Sequence, residues 1–438
     1  MIVLKFGGQT IATPERIRRC IDIIGSFREK RPVVVVSAHG KTTDELMNAA
    51  ERAAEGEIKT GSIREYHTTL AGECGVPRGI IDPLLTRLEA LLHGIGLLKE
   101  LTPRTMDNVL SFGERLSSRI ISAALSANGL RAVPVNSYDI GFLTDSSYGN
   151  AAPLPGIESQ IAKNLAREKD IPVITGFLGK DGKGELTTLG RSGSDLSATI
   201  VASAIDAEEV IIWKSVDGLM TADPDIVKDA RNIPEISFDE ASELAYFGAE
   251  MLHPSALVPA IRKNIPVRVA NVLNDNDRGT TILSRAVITK NIAKSVAYKE
   301  DVTLIHLNSP RFHSVPDVLG MALMILKEEG IVAHMITTSE AGISLITQSG
   351  LKKEQLSRAQ KKLQEIATAK CEPSMAIICM VGDELKGSAD SIGKIFGKLA
   401  EAKINARAIT RSASEINVAF LVPDGKVTDA VRALHSLI

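Results

Sequence analysis

Two short runs of apolar, mostly β-branched residues near the amino terminus constrain the fold more than any other feature of this chain. They are Ile2–Phe6, broken only by Lys5, and Val33–Val36. Near-continuous apolar runs of this length are typical of parallel strands buried on both faces of a sheet. Between them apolar residues recur at helical spacing, Thr13 can cap the helix and Pro14 suits its first position. The segment is therefore predicted to form a strand–helix–strand unit with parallel strands.

The same alternation of strands and helices continues to about residue 287. Further predicted strands are Ala132–Val135, Ile171–Phe177, Val210–Trp213 and Pro266–Val269. We expect residues 1–287 to form one α/β domain with a three-layer αβα architecture, in which a mainly parallel open sheet lies between two layers of helices. Ligands of such sheets bind beyond the carboxyl ends of the strands.

Two glycine-containing motifs each sit at the edge of an apolar, strand-like segment, and each carries a cation. They are Lys5-Phe6-Gly7-Gly8 and Gly190-Arg191-Ser192-Gly193-Ser194-Asp195. Glycines let a backbone approach a polyanion closely, while Lys5 or Arg191 can neutralise its charge. Asp195 can orient such a cation or bind Mg²⁺. Together the motifs predict a site for phosphoryl transfer.

Composition excludes several other classes of protein. The formal net charge of −2 argues against a general nucleic-acid binder, and no apolar run reaches the roughly 18 residues that cross a bilayer. Because Met1-Ile2-Val3-Leu4 leads directly into a motif, we expect no signal or transit peptide and a cytoplasmic protein. The cysteines have no metal-like spacing and are predicted to be buried, reduced thiols: Cys20, Cys74, Cys371 and Cys379.

An internal repeat begins after residue 290. Copies offset by 73 residues share identities such as Gly320 with Gly393 and Thr337 with Thr410, which predicts two related α+β modules at 298–370 and 371–438. The second copy ends with its helix, Val427–Leu437, so Ala293–Tyr298 is a candidate for its missing strand. In the first copy the predicted elements are Val302–Leu307, Asp317–Glu329, Ile331–Ile336, Ile343–Thr347 and Lys353–Ile366.

Two other patterns carry less weight. Gly40-Lys41-Thr42 resembles the end of a Walker A loop, but Val35 stands where that loop needs a glycine. The histidines His39, His67 and His253 have no metal-like spacing, so roles at helix ends or turns are favoured and no protein metal site is predicted.

The chain resembles the aspartate kinases of the amino acid kinase family, which carry two ferredoxin-like ACT domains after the catalytic domain. The resemblance implies transfer of the γ-phosphoryl group of ATP, with Mg²⁺, to the β-carboxylate of L-aspartate. The product, 4-phospho-L-aspartate, begins the synthesis of lysine, threonine, methionine and diaminopimelate. The motifs that carry the resemblance are Lys5-Phe6-Gly7-Gly8, Ser37-Ala38, Ser111-Phe112-Gly113-Glu114, Gly190–Asp195, Trp213-Lys214, Val216-Asp217-Gly218, Asp223-Pro224, Phe247-Gly248-Ala249 and Leu252-His253-Pro254.

The resemblance also implies a role for each matching residue. Lys5 contacts the transferring phosphoryl group, Arg191 clamps the α-carboxylate of aspartate, and Asp195 orients Lys5. The implied aspartate contacts are Gly8, Gln9, Thr43, Glu114, Arg191 and Ser194. The implied nucleotide contacts are Lys5, Gly7, Gly8, Lys214, Ser215, Met220, Asp225, Glu250 and Met251. Without the other motifs, Glu114-Arg115 would be expected to form a solvated charge pair on a helix.

Several positions depart from the family pattern. Gln9-Thr10 replaces Thr-Ser, and Ser215 and Met220 replace Asp and Tyr. Asp225 and Glu250 put anions where the family has Arg and Lys. An anion beside a triphosphate costs about 1 kcal/mol at an exposed site, so we expect weaker or differently arranged ATP binding.

The paired modules are expected to dimerise the chain, as a homodimer or a dimer of dimers, and to bind an amino acid. Thr338, Ser339 and Glu340 match the effector-binding strand of lysine-regulated relatives, although Pro310–Ser314 lacks their usual Gly-Phe pair. Lysine is the first choice of effector, and threonine or no effector remain alternatives. Two other functions remain open: an amino acid kinase for another carboxylate, such as glutamate, and a non-catalytic amino-acid sensor.

Overall fold

The computed structural model describes residues 1–248, 252–274, 278–285, 289, 291–308, 314–340 and 342–438. Its strands are β1 Ile2–Phe6, β2 Pro32–Val36, β3 Ala132–Val135, β4 Ile171–Thr175, β5 Leu178–Lys180, β6 Leu186–Thr188, β7 Val210–Lys214, β8 Glu235–Ser237, β9 Val267–Asn271, β10 Thr280–Leu283, β11 Ser295–Asn308, β12 Ala333–Thr338, β13 Gly342–Thr347, β14 Thr368–Val381, β15 Ile409–Thr410 and β16 Asn417–Pro423.

The α-helices are α1 Pro14–Ser26, α2 Thr42–Ala54, α3 Gly61–Glu73, α4 Asp82–Leu98, α5 Pro103–Ala127, α6 Ile157–Leu165, α7 Gly193–Ala204, α8 Phe238–Phe247, α9 Pro254–Lys263, α10 Val315–Glu328, α11 Lys353–Gln364, α12 Ala389–Glu401 and α13 Val427–His435. The chain divides into two compact units. The first comprises Met1–Leu219, Pro234–Phe238 and Met251–Ala286, and the second comprises Met220–Ile233, Asp239–Glu250 and Val287–Ile438.

The first unit is built on a mainly parallel sheet, as the sequence predicts. Among the described residues, its eight strands run in the order β3-β4-β2-β1-β7-β9-β10-β8. All neighbours in this sheet are parallel except β9 and β10. The central strand β1 lies between β2 and β7. The next strand in the sequence, β2, lies on one side of β1, and the later strand β7 lies on the other side. A crevice at the carboxyl end of such a central strand is the usual ligand site of an open α/β sheet.

The first helix forms as its sequence predicts. Pro14 is its first residue, and the Thr13 side chain caps it by accepting a hydrogen bond from the Arg16 backbone N–H at 3.4 Å. Its buried face includes Cys20 and Ile24, which belong to the same apolar core as Phe6 on β1. This packing fixes one face of the central sheet.

The second unit contains the two predicted α+β modules. Among its described residues, six strands form one antiparallel sheet in the order β12-β13-β11-β14-β16-β15. The long strands β11 and β14 pair along nearly their whole length, with a bulge between Lys299 and Leu304. The start of β11, Ser295–Lys299, pairs with Ile377–Val381 of β14 and so lies beside the second module. Helices α10 and α11 pack on one half of the sheet, and α12 and α13 on the other.

Two segments that precede residue 287 in the sequence belong to the second unit. In the first segment, the Asp223 carboxylate accepts a hydrogen bond from the Tyr298 hydroxyl at 2.7 Å. In the second, on α8, Glu240 forms a buried ion pair with Lys294, with Oε2 and Nζ 2.9 Å apart. The other oxygen of Glu240 accepts from the Asp383 backbone N–H at 2.8 Å. These contacts attach both segments to the second unit.

We expect Lys294→Met to lower the free energy of unfolding of the second unit by about 3–5 kcal/mol, because it leaves the Glu240 carboxylate buried without its cation. The side chains of Lys294 and Glu240 are 3% and 0% exposed, so solvent cannot replace the lost partner. Denaturant unfolding followed by circular dichroism measures the change. The double variant Glu240→Leu/Lys294→Met should lose much less free energy of unfolding, because it leaves no buried carboxylate without a cation. The matched control is Lys398→Met, whose partner Glu401 is exposed. This variant should change the free energy of unfolding by less than about 1 kcal/mol. Equal losses in Lys294→Met and in the control would contradict the argument.

Candidate active site

Two lysines of the central sheet share one buried carboxylate. Lys5 on β1 pairs in register with Ile212 on β7, and because side chains alternate along a strand, Lys214 points to the same face as Lys5. Helix α7 contributes Asp195 from its first turn. Lys5 Nζ lies 2.5 Å from Asp195 Oδ1, and Lys214 Nζ lies 3.5 Å from Asp195 Oδ2. The side chains of Lys5 and Asp195 are 6% and 5% exposed.

Three charged groups meet at this point: the ammonium groups of Lys5 and Lys214 and the carboxylate of Asp195. Burial raises the pKa of Asp195, but the charges of Lys5 and Lys214 outweigh burial and hold this pKa below its usual value. Burial also lowers the pKa of Lys214, an effect that Asp195 only partly offsets. Two ammonium groups beside one carboxylate form a site suited to a further anion.

A cavity of about 210 Å³ opens beside Lys5 and Asp195. It lies beyond the carboxyl ends of β1 and β2, where the fold predicts a ligand. The N-terminal turn of α7 borders it, so the positive end of the helix dipole adds to the field of the lysines. The lining residues are Lys5, Ser37, Thr43, Glu114, Phe177, Gly190, Ser192, Gly193, Ser194 and Asp195.

Glu114 brings an unsatisfied carboxyl oxygen to this cavity. Its Oε1 accepts a hydrogen bond from the Ala38 backbone N–H at 3.1 Å. Its buried Oε2 has no hydrogen-bond partner among the described residues. Burial raises the pKa of Glu114 to about 8, although the Ala38 N–H and the charge of Lys5 oppose the shift. An isolated carboxyl oxygen facing a cavity is well suited to bind a cationic ligand group such as an ammonium.

Close backbone packing explains two of the glycines. A Cβ atom on Gly8 would lie 2.6 Å from the Ala38 carbonyl oxygen, and one on Gly193 would lie 2.8 Å from the Phe177 ring. Both distances are too short for any side chain. The Gly7 N–H donates to the Trp213 carbonyl at 3.3 Å, so in this structure it serves the contact between β1 and β7.

The structure brings together Lys5, Thr43, Glu114, Ser194 and Asp195 around one cavity. Lys214 joins this group through Asp195.

Other predicted residues lie elsewhere. Arg191 and Gln9 have exposed side chains that do not line the cavity, although Gly190 and Ser192 on either side of Arg191 do. The Gln9 backbone carbonyl accepts a hydrogen bond from Arg16 Nη1. Ser215 is exposed after β7.

Met220 and Asp225 belong to the second unit, and Glu250 and Met251 lie outside the described residues. The predicted effector residues Thr338, Ser339 and Glu340 are exposed at the end of β12. There the Ser339 N–H donates to the Gly342 carbonyl at 2.8 Å. Of the segment Pro310–Ser314, residues 310–313 lie outside the described residues.

Two cavity-lining residues lie outside both glycine motifs and were assigned no role from the sequence: Ser37 and Phe177. Ser37 directly follows the parallel strand β2, and it belongs to the motif Ser37-Ala38. Both features could have indicated that it lies at the site. Phe177 has a positive φ of 67°, and its N–H donates to Ser197 Oγ at 3.0 Å. A bulky residue in the left-handed region is strained, and such strain concentrates at functional sites. Nothing in the sequence around Phe177 indicates it.

Three histidines that the sequence singles out make hydrogen bonds within the fold: His39, His67 and His253. His39 and His67 are buried, and their Nδ1 atoms lie 2.7 and 2.8 Å from the carbonyl oxygens of Ile11 and Ile63. His253 caps α9 by accepting from the Ser255 N–H. Within the described ranges, no three His, Cys, Asp or Glu side chains are grouped so that they could hold a metal ion.

The described cysteines are all free thiols. Cys20 and Cys379 are buried, as predicted, whereas Cys74 and Cys371 are only partly so. Among the described helices, none is both long and apolar enough to span a membrane.

Comparisons with known proteins find similarity along the whole chain. The model of the amino acid kinase family matches residues 1–271, and an ACT domain model matches residues 378–437. Aspartokinase 1, chloroplastic, of Arabidopsis thaliana is 37% identical over 451 residues, which are 99% of this chain and 79% of that protein.

Two crystal structures of aspartokinase III from E. coli are similar in fold. The complex with aspartate and ADP, in the R-state, has a TM-score of 0.82 at 28% identity and covers 100% of this chain and 99% of that one. The complex with lysine and aspartate, in the T-state, has a TM-score of 0.80 at 30% identity, with the same coverage.

Proposed function

The chain belongs to the amino acid kinase family and, within it, to the aspartokinases, and from this premise we propose that it phosphorylates the β-carboxylate of L-aspartate with ATP. The predicted fold, a mainly parallel α/β sheet followed by ACT modules, is confirmed. The observation that carries the proposal is one cavity that joins the lysine pair on Asp195 to the unsatisfied oxygen of Glu114. Such a site can hold an anion and an ammonium group side by side.

In the proposed reaction an oxygen of the β-carboxylate attacks the γ-phosphorus. The bond from that phosphorus to the bridging oxygen breaks, and its electron pair leaves on ADP. No proton transfer is required, so the protein acts by positioning the reactants and neutralising charge. We assign to Lys5 the neutralisation of the transferring group and to Asp195 the orientation of Lys5, which its ion pair with Lys5 supports.

We assign the recognition of aspartate to residues around the cavity. Glu114 binds the ammonium group, and Thr43 and Ser194 supply hydroxyls. Arg191 clamps the α-carboxylate by turning inward when substrate binds, since its backbone already lies between two cavity-lining residues. Gly8 and Gln9 complete the proposed set.

ATP is the proposed phosphoryl donor, and Mg²⁺ is the proposed metal. Because the described residues hold no ready metal cluster, Mg²⁺ would be bound mainly by phosphate oxygens and water, which is its usual preference. When bound, it supplies positive charge to the phosphates. The proposed nucleotide contacts remain Lys5, Gly7, Gly8, Lys214, Ser215, Met220, Asp225, Glu250 and Met251. We expect weaker ATP binding than in relatives that carry cations at the positions of Asp225 and Glu250.

We further propose feedback regulation by lysine through Thr338, Ser339 and Glu340. The E. coli relative whose structure contains lysine and aspartate supports this choice. For regulation to follow, lysine must bind the less active arrangement more tightly. We propose a homodimer or dimer of dimers formed through the ACT modules, a cytoplasmic location, and domains at 1–287, 298–370 and 371–438.

A hydroxamate assay with MgATP and L-aspartate tests the proposal. We expect turnover with L-aspartate and at least a tenfold lower rate with L-glutamate. Added lysine should inhibit at concentrations where threonine does not. No turnover at any nucleotide concentration, with lysine still bound in calorimetry, would favour a non-catalytic sensor.

A further inference from the structure

Arg115, next to Glu114 on α5, is a buried cation that the proposed reaction does not use. It is 9% exposed, so it does not form the solvated charge pair that Glu114-Arg115 would favour in isolation from the other motifs. Its Nη1 lies 3.5 Å from Ser111 Oγ, and its Cζ lies 4.7 Å from the centre of the Phe112 ring. Its buried Nε has no hydrogen-bond partner among the described residues. A guanidinium held in this way is short of an anion.

Further cations surround the same point. Arg119, one turn along α5, donates from Nη1 to the Arg115 carbonyl at 2.9 Å. Lys180 on β5 places its Nζ 4.5 Å from the centre of the Tyr138 ring. The charges of Arg115, Arg119 and Arg87 all act on the Tyr138 hydroxyl. We call this group the arginine cluster: Arg87, Arg115, Arg119, Tyr138 and Lys180.

Among the described residues, carboxylates offset little of the buried positive charge of Arg115 and Arg119. Asp139 is the carboxylate that acts on both Arg115 and Arg119, but it is exposed and already accepts a hydrogen bond from Asn136 Nδ2 at 2.7 Å. Burial lowers the pKa of both guanidinium groups, and for Arg115 the charges of Arg119 and Arg87 lower it further. Burying a charge without a full partner is unfavourable, and an anion from solution would relieve that cost.

The cluster is also open to an incoming ligand. Arg119, Tyr138 and Lys180 are each only partly buried, so solvent reaches these side chains, whereas Arg115 is buried. Arginine forks and a tyrosine hydroxyl all donate hydrogen bonds, and phosphate oxygens are acceptors that such donors favour. None of these residues lines the cavity that holds Lys5.

We propose that the arginine cluster is a second, non-catalytic binding site for a dianionic phosphate group, either free phosphate or the phosphate of a small phosphomonoester. The site lies on the same helix as Glu114, one residue away, so its occupancy bears directly on the helix that forms the aspartate site. The proposal does not depend on the activity of the chain, since it concerns binding alone.

Calorimetric titration at constant ionic strength tests the site. The probes are inorganic phosphate and glycerol 3-phosphate, with chloride as the reference anion. We expect the wild type to bind at least one phosphate probe with a Kd below about 1 mM. Arg119→Gln and Arg115→Met should each weaken binding about tenfold or more, because each removes charge-assisted hydrogen bonds. Tighter binding of glycerol 3-phosphate than of phosphate identifies a phosphomonoester as the ligand, and the reverse identifies free phosphate.

Two controls separate this site from the active site and from general charge. Lys5→Met, which alters the phosphate site of the catalytic cavity, should leave binding to the cluster unchanged. Arg104→Gln removes an exposed arginine from the start of the same helix and should also leave it unchanged. Loss of binding in either control to the same extent as in Arg119→Gln would overturn the proposal, as would no phosphate binding by the wild type.

Thermal stability distinguishes a ligand site from a structural one. In buffer without phosphate, Arg115→Met should raise the melting temperature by about 2 °C or more, because it removes an uncompensated buried charge while keeping an apolar stem of similar length. Phosphate should stabilise the wild type but not this variant. A lower melting temperature for Arg115→Met in both buffers would show that Arg115 is a structural residue and would contradict the proposal.

Discussion

Lys5→Met is expected to lower kcat for aspartate phosphorylation by about 10³-fold, while the protein remains folded. Lys5 is the buried cation nearest to the carboxylate that organises the site, and its Nζ is 2.5 Å from Asp195 Oδ1. Groups that neutralise developing charge on a transferring phosphoryl group contribute factors of about 10²–10⁵ to catalysis. The variant keeps the length and apolar stem of lysine, so the loss measures the charge. Steady-state release of ADP gives kcat, and circular dichroism confirms the fold.

The second lysine provides the matched control. Lys214 contacts the same carboxylate from 3.5 Å and is 23% exposed, so its charge is better solvated than that of Lys5. Lys214→Met should therefore lower kcat by about 10- to 100-fold and act more strongly on KM for ATP. If the two variants lost kcat equally, or if Lys5→Met kept more than a tenth of the wild-type value, Lys5 would not have the role assigned to it.

Glu114→Gln is expected to raise KM for aspartate about 100-fold with a smaller change in kcat. The substitution keeps the size of the side chain and its hydrogen bond from the Ala38 N–H, but it removes the negative charge proposed to face the ammonium group. Breaking a buried charged hydrogen bond costs about 3 kcal/mol, which corresponds to that factor. Initial rates at saturating ATP and varied aspartate give KM.

The pH dependence provides a second measurement of the same residue. Because burial raises the pKa of Glu114 to about 8, the carboxyl is mostly protonated at pH 7 in the free protein and cannot pair with an ammonium group. In the wild type, kcat/KM for aspartate should therefore fall about tenfold for each pH unit below 8. Glu114→Gln should be flat over that range.

The stability of the folded protein should depend on pH in the opposite sense to kcat/KM for aspartate. The folded protein holds the Glu114 proton more tightly than the unfolded chain does. The free energy of unfolding should then decrease as pH rises from about 4.5 to 8, and Glu114→Gln should remove this contribution.

Arg191→Ala distinguishes a general loss of aspartate binding from the loss of the Glu114 titration in the pH profile of kcat/KM. It should also raise KM for aspartate, far more than KM for ATP, yet leave the fall in kcat/KM below pH 8 intact, because Glu114 is unchanged. A wild-type profile without a break near pH 8, or the same profile in Glu114→Gln, would contradict the proposed pairing.

Local pattern predicts much of the first unit. The apolar run Ile2–Phe6 and the Thr13-Pro14 start of α1 coincide with the structure because both depend on neighbouring residues in the sequence. Boundaries shift where a distant contact intervenes. Predicted strand Ile171–Phe177 ends at Thr175, and Phe177 adopts a positive φ while donating to Ser197 Oγ on α7. In the second unit, Ile331 does not begin β12, because its N–H closes the end of α10 on the Leu326 carbonyl.

The candidate site was predictable in its residue types but not in its arrangement. The motifs indicate Lys5, Asp195 and Glu114, but sequence spacing cannot show that Lys214 shares Asp195 with Lys5, since that contact depends on strand register. Nor can it show that Arg115 is buried, because a Glu-Arg pair on a helix has the same sequence pattern whether it is exposed or buried.

The long strands β11 and β14 have a consequence for the origin and engineering of the carboxyl-terminal half. Each strand contributes one end to the first module and the other end to the second, so the duplicated halves share two continuous backbones. Residues 370 and 371, where the sequence copies meet, lie inside β14 rather than in a linker. Cutting the gene there would sever a strand and leave both fragments with incomplete sheets. The two modules therefore form one structural unit, and an engineered protein should transfer, exchange or delete both of them together.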